Sequence, residues 1–238
     1  MSMTRVSNPV FVALDTPDLD RALAIAQAVR PHVGGVKIGL EFITSCGPEG
    51  VRRVVEIGLP VFADVKFHDI PNTVAAASRE LARLGTKLFN IHASGGPRMM
   101  RDAADAARAF DSAVKVLGVT VLTSLDDTVL DQVGQQGPAI DQVVRLARLA
   151  KQATLDGVVC SAHEVAALRR VLGPDFLLVV PGIRPVGADL ADQKRVMTPA
   201  EAHRAGADIL VIGRPITAAA DPGAAARAIA DELAGTMA

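Results

Sequence analysis

The chain reads as α/β, a single (β/α)8 TIM barrel, on three observations. Short runs that are apolar at nearly every position alternate with amphipathic stretches about eight times from end to end. Strands of that kind belong to a parallel sheet covered on both faces. The 238 residues, half of them hydrophobic, suit one large core, and about 250 residues is usual for such a barrel. No Gly/Ser-rich or low-complexity linker divides the chain, so residues 1–238 are read as one domain. The strand count favours closure over an open doubly wound sheet. A Gly-x-Gly-x-x-Gly fingerprint is absent after the first strand, which weakens a dinucleotide reading.

The elements follow in order. Val10 to Asp15 is a strand ending in a carboxylate, and Pro17 to Val29 spaces Leu19, Ala22, Leu23, Ala26 and Val29 as one helical face. Gly34 to Gly39 is the second strand and Glu41 to Ile57 its helix. The third strand opens at Val61, runs into Pro71, and is followed by a helix from Thr73 to Leu84. Lys87 to His92 is the fourth, with a helix after Gly95-Gly96-Pro97 through Ala109. Val114 to Val121 and the helix Ile140 to Ala153 come next, then Gly157 to Cys160 with His163 to Leu172. Phe176 to Pro181 is the seventh strand, followed by a polar loop from Arg184 to about Val196. A short helix from Pro199 to Ala205, the eighth strand Ile209 to Gly213, and a helix from Pro222 to Ala234 close the chain.

The totals exclude several classes. A net charge of -1 offers no basic footprint for nucleic acid, and 3% aromatics without Trp or Tyr supply few stacking platforms. No apolar run approaches about 20 residues, so nothing is expected to span a membrane. The first ten residues carry no signal-peptide core. Cys46 and Cys160 form no disulfide framework or metal pattern, and reduced thiols in a cytoplasmic protein are expected. Each reads as a small buried hydrophobe rather than a nucleophile.

Within the third strand, Val61-Phe62-Ala63-Asp64-Val65-Lys66-Phe67-His68-Asp69-Ile70-Pro71-Asn72-Thr73 sets two carboxylates and an ammonium in apolar surroundings. Side chains two apart on a strand share a face, so Asp64 and Lys66 point the same way. Buried charges cost free energy unless paired or in use. Taken alone, the pair reads either as a barrel-interior ion pair or as chemistry. The rest of the chain decides. Asp15, Lys37, Asp64, Lys66, His92, Thr123 and Arg214 all fall at or near strand C-termini, which converge on one mouth where barrel active sites sit. Gly213-Arg214 at the eighth strand joins bare backbone to a guanidinium, at a frequent phosphate position of barrels. The loop from Arg184 to Val196 has the length of a lid. His68 and His92 read as scaffold, and no metal spacing such as His-Glu-x-x-His occurs, so no metal is assigned.

Asp64-Val65-Lys66-Phe67-His68-Asp69-Ile70-Pro71-Asn72-Thr73 closely resembles the signature of the orotidine 5'-phosphate decarboxylase family. Phe11-Val12-Ala13-Leu14-Asp15, Val36-Lys37-Ile38-Gly39, Asn90-Ile91-His92-Ala93-Ser94-Gly95-Gly96, Val119-Thr120-Val121-Leu122-Thr123-Ser124, Val180-Pro181-Gly182-Ile183-Arg184-Pro185 and Val211-Ile212-Gly213-Arg214-Pro215 support it in order along the chain. The resemblance implies a cofactor-free lyase making UMP and CO2 in pyrimidine synthesis, as a homodimer with shared active sites. By family role, Lys66 donates the proton to C6 and Asp64 faces the substrate carboxylate. Asp69, with Ile70 and Thr73, reaches into the neighbouring subunit's site. Lys37 and Asp15 bind the ribose and complete the charged array. Thr123 contacts the pyrimidine, while Arg184, Gln193, Gly213 and Arg214 hold the phosphate. Two competing readings are a magnesium-dependent 3-keto-gulonate 6-phosphate decarboxylase, and a non-catalytic nucleotide- or phosphate-binding barrel. Lys37 at the second strand's mouth argues against the first, because a cation discourages a divalent metal. The second need not keep both Asp64 and Lys66.

Overall fold

Alternate residues along the strands belong to two separate cores. Phe11, Ala13, Phe62, Leu88, Leu117, Val179, Ile209 and Val211 pack together inside a barrel. Val10, Val12, Leu14, Val36, Ile38, Val61 and Ala63 belong to the larger core beneath the helices. This period of two is what a strand buried on both faces requires. Full burial of a side chain such as Phe11 or Phe62 contributes roughly 1.5–3 kcal/mol relative to exposure. Gly35 leaves room for this interior: a Cβ there would lie 2.6 Å from the tip of the Phe11 ring.

The structure, a computed structural model, describes residues 8–135, 137–185 and 197–237. Its strands are β1 (Val10–Ala13), β2 (Gly35–Ile38), β3 (Val61–Phe67), β4 (Leu88–His92), β5 (Lys115–Val119), β6 (Gly157–Val159), β7 (Leu177–Pro181) and β8 (Ile209–Ile212). They pair in parallel in sequence order, and β8 returns to β1 through Val10↔Leu210, Phe11↔Val211 and Val12↔Ile212, closing the barrel. The helices are α1 (Leu19–Val29), α2 (Leu40–Val55), α3 (Pro71–Arg83), α4 (Gly96–Phe110), α5 (Asp127–Gln132), α6 (Ala139–Gln152), α7 (Val165–Leu172), α8 (Pro199–Ala205), α9 (Arg214–Thr217) and α10 (Pro222–Met237). Among the described residues no helix is long and apolar enough to cross a membrane.

Local chemistry sets the boundaries. The Asp18 carboxylate accepts from the Arg21 N–H at 3.1 Å and starts α1. Thr198 and Glu201 form a reciprocal capping box at α8. Pro71 opens α3, where its missing N–H costs nothing. One expectation needs correction, and two short helices are additional. The second helix is not continuous, because Gly47 leaves helical geometry (φ 61, ψ -169) ahead of Pro48, whose ring disfavours a helical residue before it. Helix α5 was not anticipated, although Asp126 caps it by accepting from the Val129 N–H at 3.0 Å. Arg214 begins the short α9, which the sequence reading did not include.

At the end opposite the strand C-termini, two aspartates lace the barrel. Asp156, just before β6, accepts from the Val116 N–H at 2.9 Å and from Arg108 and Lys115. Asp208, just before β8, accepts from the Leu178 N–H at 2.8 Å and from Arg169. Each carboxylate thus supplies an acceptor to the neighbouring odd strand and neutralises the guanidinium of a packed helix. Charge at this foot is structural, which leaves the mouth as the place for chemistry.

Candidate active site

The third strand departs from regular pairing where its charges begin. Ala63 pairs with Phe89 and Phe67 with Ile91, so β3 uses four residues where β4 uses two. Lys66 occupies the left-handed region (φ 49), uncommon for a side chain of that size. Asp64 and Lys66 face each other as the strand period implies, yet a bulge rather than regular pleating sets the geometry.

A chain of alternating charge results. Lys66 Nζ lies 2.5 Å from Asp64 Oδ1, Lys37 Nζ 3.6 Å from Asp64 Oδ2, and Lys37 Nζ 2.8 Å from Asp15 Oδ1. Lys37 is buried, Asp64 and Lys66 are partly so, and Asp15 is exposed. Burial alone pushes the Asp64 carboxyl up; the Lys37 and Lys66 ammoniums, with hydrogen bonds from Lys66 and Asn90, outweigh it and hold the group below the usual carboxylate range. Asp64 is therefore ionised at neutral pH. Gly39, just past β2, leaves this chain its space: a Cβ there would sit 3.1 Å from both Asp15 Oδ1 and Lys37 Nζ.

Beside the chain lies a cavity of about 180 Å³. Lys37, Asp64 and Lys66 form one wall; Val121, Leu122, Val159, Cys160, Val179 and Val211 supply apolar surface from the other strands. Thr123, beyond β5, also lines it. Apolar walls exclude water and strengthen the field of the charges facing them. Burial pushes the Cys160 thiol well up, first through desolvation and then through Glu164, so it acts as wall rather than nucleophile.

The other expected residues divide. Arg184 follows β7 and is buried, with Nη1 donating to the Ile183 carbonyl. Gly213 and Arg214 follow β8, with Arg214 exposed. Ile70 and Thr73 are exposed at the start of α3. Asp69 does not join its own chain's array: it is exposed, its Oδ1 accepts the Ile70 N–H at 2.6 Å, and among the described residues it makes no ion pair. Gln193, like most of the loop expected from Arg184 to Val196, lies outside the described residues.

One participant escaped the sequence reading. Asn90, wholly buried in β4, accepts the Lys66 N–H at 2.8 Å and donates to Asp64 Oδ1 at 2.7 Å. The available signal was a single amide inside an apolar strand. His92, read from the sequence as scaffold at a strand end, closes β4 with its ring 5.4 Å from that of His68. Burial first, then the charges of His68 and Lys66, lower its pKa against the opposing pull of Asp64. A depressed imidazole contributes stability above its ordinary pKa, about 6.5, and loses it as pH falls. The thermal midpoint should therefore drop between pH 7 and pH 5, and His92→Asn should flatten that drop. Equal slopes in the two proteins would contradict it.

Residues 8–229 match the model of the orotidine 5'-phosphate decarboxylase / HUMPS family. The chain is 54% identical over 233 residues to an orotidine 5'-phosphate decarboxylase of Paramagnetospirillum magneticum, covering 95% of this chain and 98% of that one. It is 52% identical over 239 residues to one of Moorella thermoacetica, covering 98% and 95%. The crystal structure of orotidine 5'-phosphate decarboxylase from Lactobacillus acidophilus superposes with a TM-score of 0.86 at 39% identity, covering 95% of this chain and 99% of that one.

Proposed function

The chain belongs to the orotidine 5'-phosphate decarboxylase / HUMPS family, and from that premise we propose that it is a carboxy-lyase converting orotidine 5'-phosphate to UMP and CO2 in pyrimidine synthesis. One observation carries the reading: the alternating chain Asp15–Lys37–Asp64–Lys66 along one wall of a cavity whose other walls are apolar.

The chemistry follows from charge. As the bond between C6 and the carboxylate breaks, its electron pair stays on C6, which has no electron sink, and CO2 departs. The Lys66 ammonium stabilises the developing carbanion and then delivers an Nζ proton to C6, giving UMP; the amine regains a proton from water. Asp64 faces the departing carboxylate. Two like charges at 4 Å repel by about 4 kcal/mol at an effective dielectric near 20. Enzymes at the upper end of typical accelerations lower barriers by roughly 23 kcal/mol. Repulsion is thus a minority contribution, and stabilisation of the carbanion by Lys66 dominates, supported by binding energy from the distant phosphate.

Lys37 and Asp15 bind the ribose hydroxyls, and Thr123 at the cavity edge contacts the pyrimidine. Arg184, Gln193, Gly213 and Arg214 hold the phosphate. The protein works as a cytoplasmic homodimer in which Asp69, Ile70 and Thr73 enter the neighbouring site. Ile70 and Leu40, 68% and 54% exposed, give the mouth an apolar rim suited to such a partner.

Absorbance of purified protein with orotidine 5'-phosphate tests the function. Turnover that survives EDTA is expected; no turnover would refute the assignment, and turnover restored only by magnesium would favour the metal-dependent branch. Arg214→Ala should weaken substrate and UMP alike by about 10- to 100-fold, as loss of a charged hydrogen bond implies. Unchanged UMP affinity would remove Arg214 from the phosphate site.

A further inference from the structure

We infer that Asn90 is a positioning residue for the decarboxylation, acting on the proton donor and on its counter-ion with one side-chain amide. This rests on the decarboxylase reading above. Asn90 lies in β4 between Phe89 and Ile91, with no exposure to solvent. On the far side, β4 pairs regularly with β5, Asn90 opposite Leu117. On the near side the ladder opens from Ala63↔Phe89 to Phe67↔Ile91, the interval that holds Asp64 and Lys66. The Asn90 side chain fills that interval. Its Oδ1 accepts the Lys66 N–H at 2.8 Å and its Nδ2 donates to Asp64 Oδ1 at 2.7 Å. The orientation of the amide follows from its partners, since an N–H needs an acceptor and a carboxylate needs a donor.

Two consequences bear on the reaction. A left-handed lysine (φ 49) persists only where its surroundings hold it, and the bond to its N–H does so. The Lys66 Nζ and Asn90 Nδ2 also meet on the same oxygen of Asp64, leaving Oδ2 toward Lys37. Asn90 thus sets both where the ammonium stem begins and how the carboxylate is turned. An amide does both jobs at every pH because it donates and accepts without titrating.

The test measures kcat per UMP-binding site, UMP affinity and pH dependence. Asn90→Ala should lower kcat by about 100-fold, the cost of displacing a reacting group by about 1 Å, while UMP affinity changes less than about threefold. Asn90→Asp separates positioning from mere filling. Its protonated form can donate to Asp64 and accept from Lys66; its ionised form cannot donate and repels Asp64. The groups facing position 90 are Asp64 and Lys66 from β3, with Lys37 of β2 beyond Asp64 and His92 on β4 itself. These are common to both proteins, so the ratio of variant to wild-type kcat isolates residue 90 and should rise as pH falls. Should Asn90→Ala fail to fold, that ratio decides alone. Wild-type kcat in Asn90→Ala, kcat and UMP affinity falling together, or a pH-independent ratio for Asn90→Asp overturns the inference. Absence of turnover in the wild-type protein would instead overturn the decarboxylase reading.

Discussion

Lys66→Ala is expected to lose turnover by at least about ten-thousand-fold while binding UMP nearly as tightly as the wild type. The size follows from two roles in one group. A positioned general acid contributes about 10²–10⁴, and a preorganised charge at the reacting atom about 10²–10³. Ground-state affinity should survive, because the binding energy is assigned to the phosphate and ribose groups, away from C6. The ammonium also neutralises Asp64 at 2.5 Å, but Lys37 at 3.6 Å and Asn90 at 2.7 Å remain to support that carboxylate. The variant should therefore fold. Steady-state absorbance and UMP titration check it; turnover within about tenfold of wild type would refute the role of Lys66 as proton donor.

The second large effect concerns Asp69. In its own chain it is exposed, its carboxylate accepts the adjacent Ile70 N–H, and among the described residues it forms no ion pair and does not join the array beside Lys66. A role in catalysis then requires the partner's site, and Asp69→Ala should be inactive on its own. In the two-fold dimer proposed above, each site would take Lys66 from one subunit and Asp69 from the other. A heterodimer of Lys66→Ala with Asp69→Ala carries one site with both lesions and one with neither. Equal mixing, with half the dimers mixed and one intact site in each, should restore about a quarter of wild-type activity. No recovery in verified heterodimers would rule out a shared site.

Much of this was legible in the chain because barrels turn sequence order into spatial order. Asp15, Lys37, Asp64 and Lys66 lie at or near the C-terminal ends of apolar strands, and parallel closure brings such ends to one mouth. The strand period predicted that Asp64 and Lys66 would meet, although it missed the means. A bulge has no compositional signature when its extra residues are themselves apolar or charged like the rest of the strand. Asn90 was missed for the same reason: its importance lies in which backbone group it faces across two strands, a relation that register alone determines. The break at Gly47-Pro48 was readable from the Gly-Pro pair, since the residue before a proline is driven out of helical geometry. Asp69 is a different case: among the described residues its carboxylate forms no ion pair, so one chain alone gives no geometric sign of the role proposed for it.

The central claim is that the Lys66 ammonium exchanges a proton with C6 of the pyrimidine, and the reverse of that step can be watched in the product. UMP incubated with the wild-type protein in D2O should take up deuterium at C6, followed by proton NMR, because delivery of a proton and its removal share one transition state. With Lys66→Ala at saturating UMP, exchange should fall to the background of free nucleotide. Exchange at the same rate in the two proteins would contradict it.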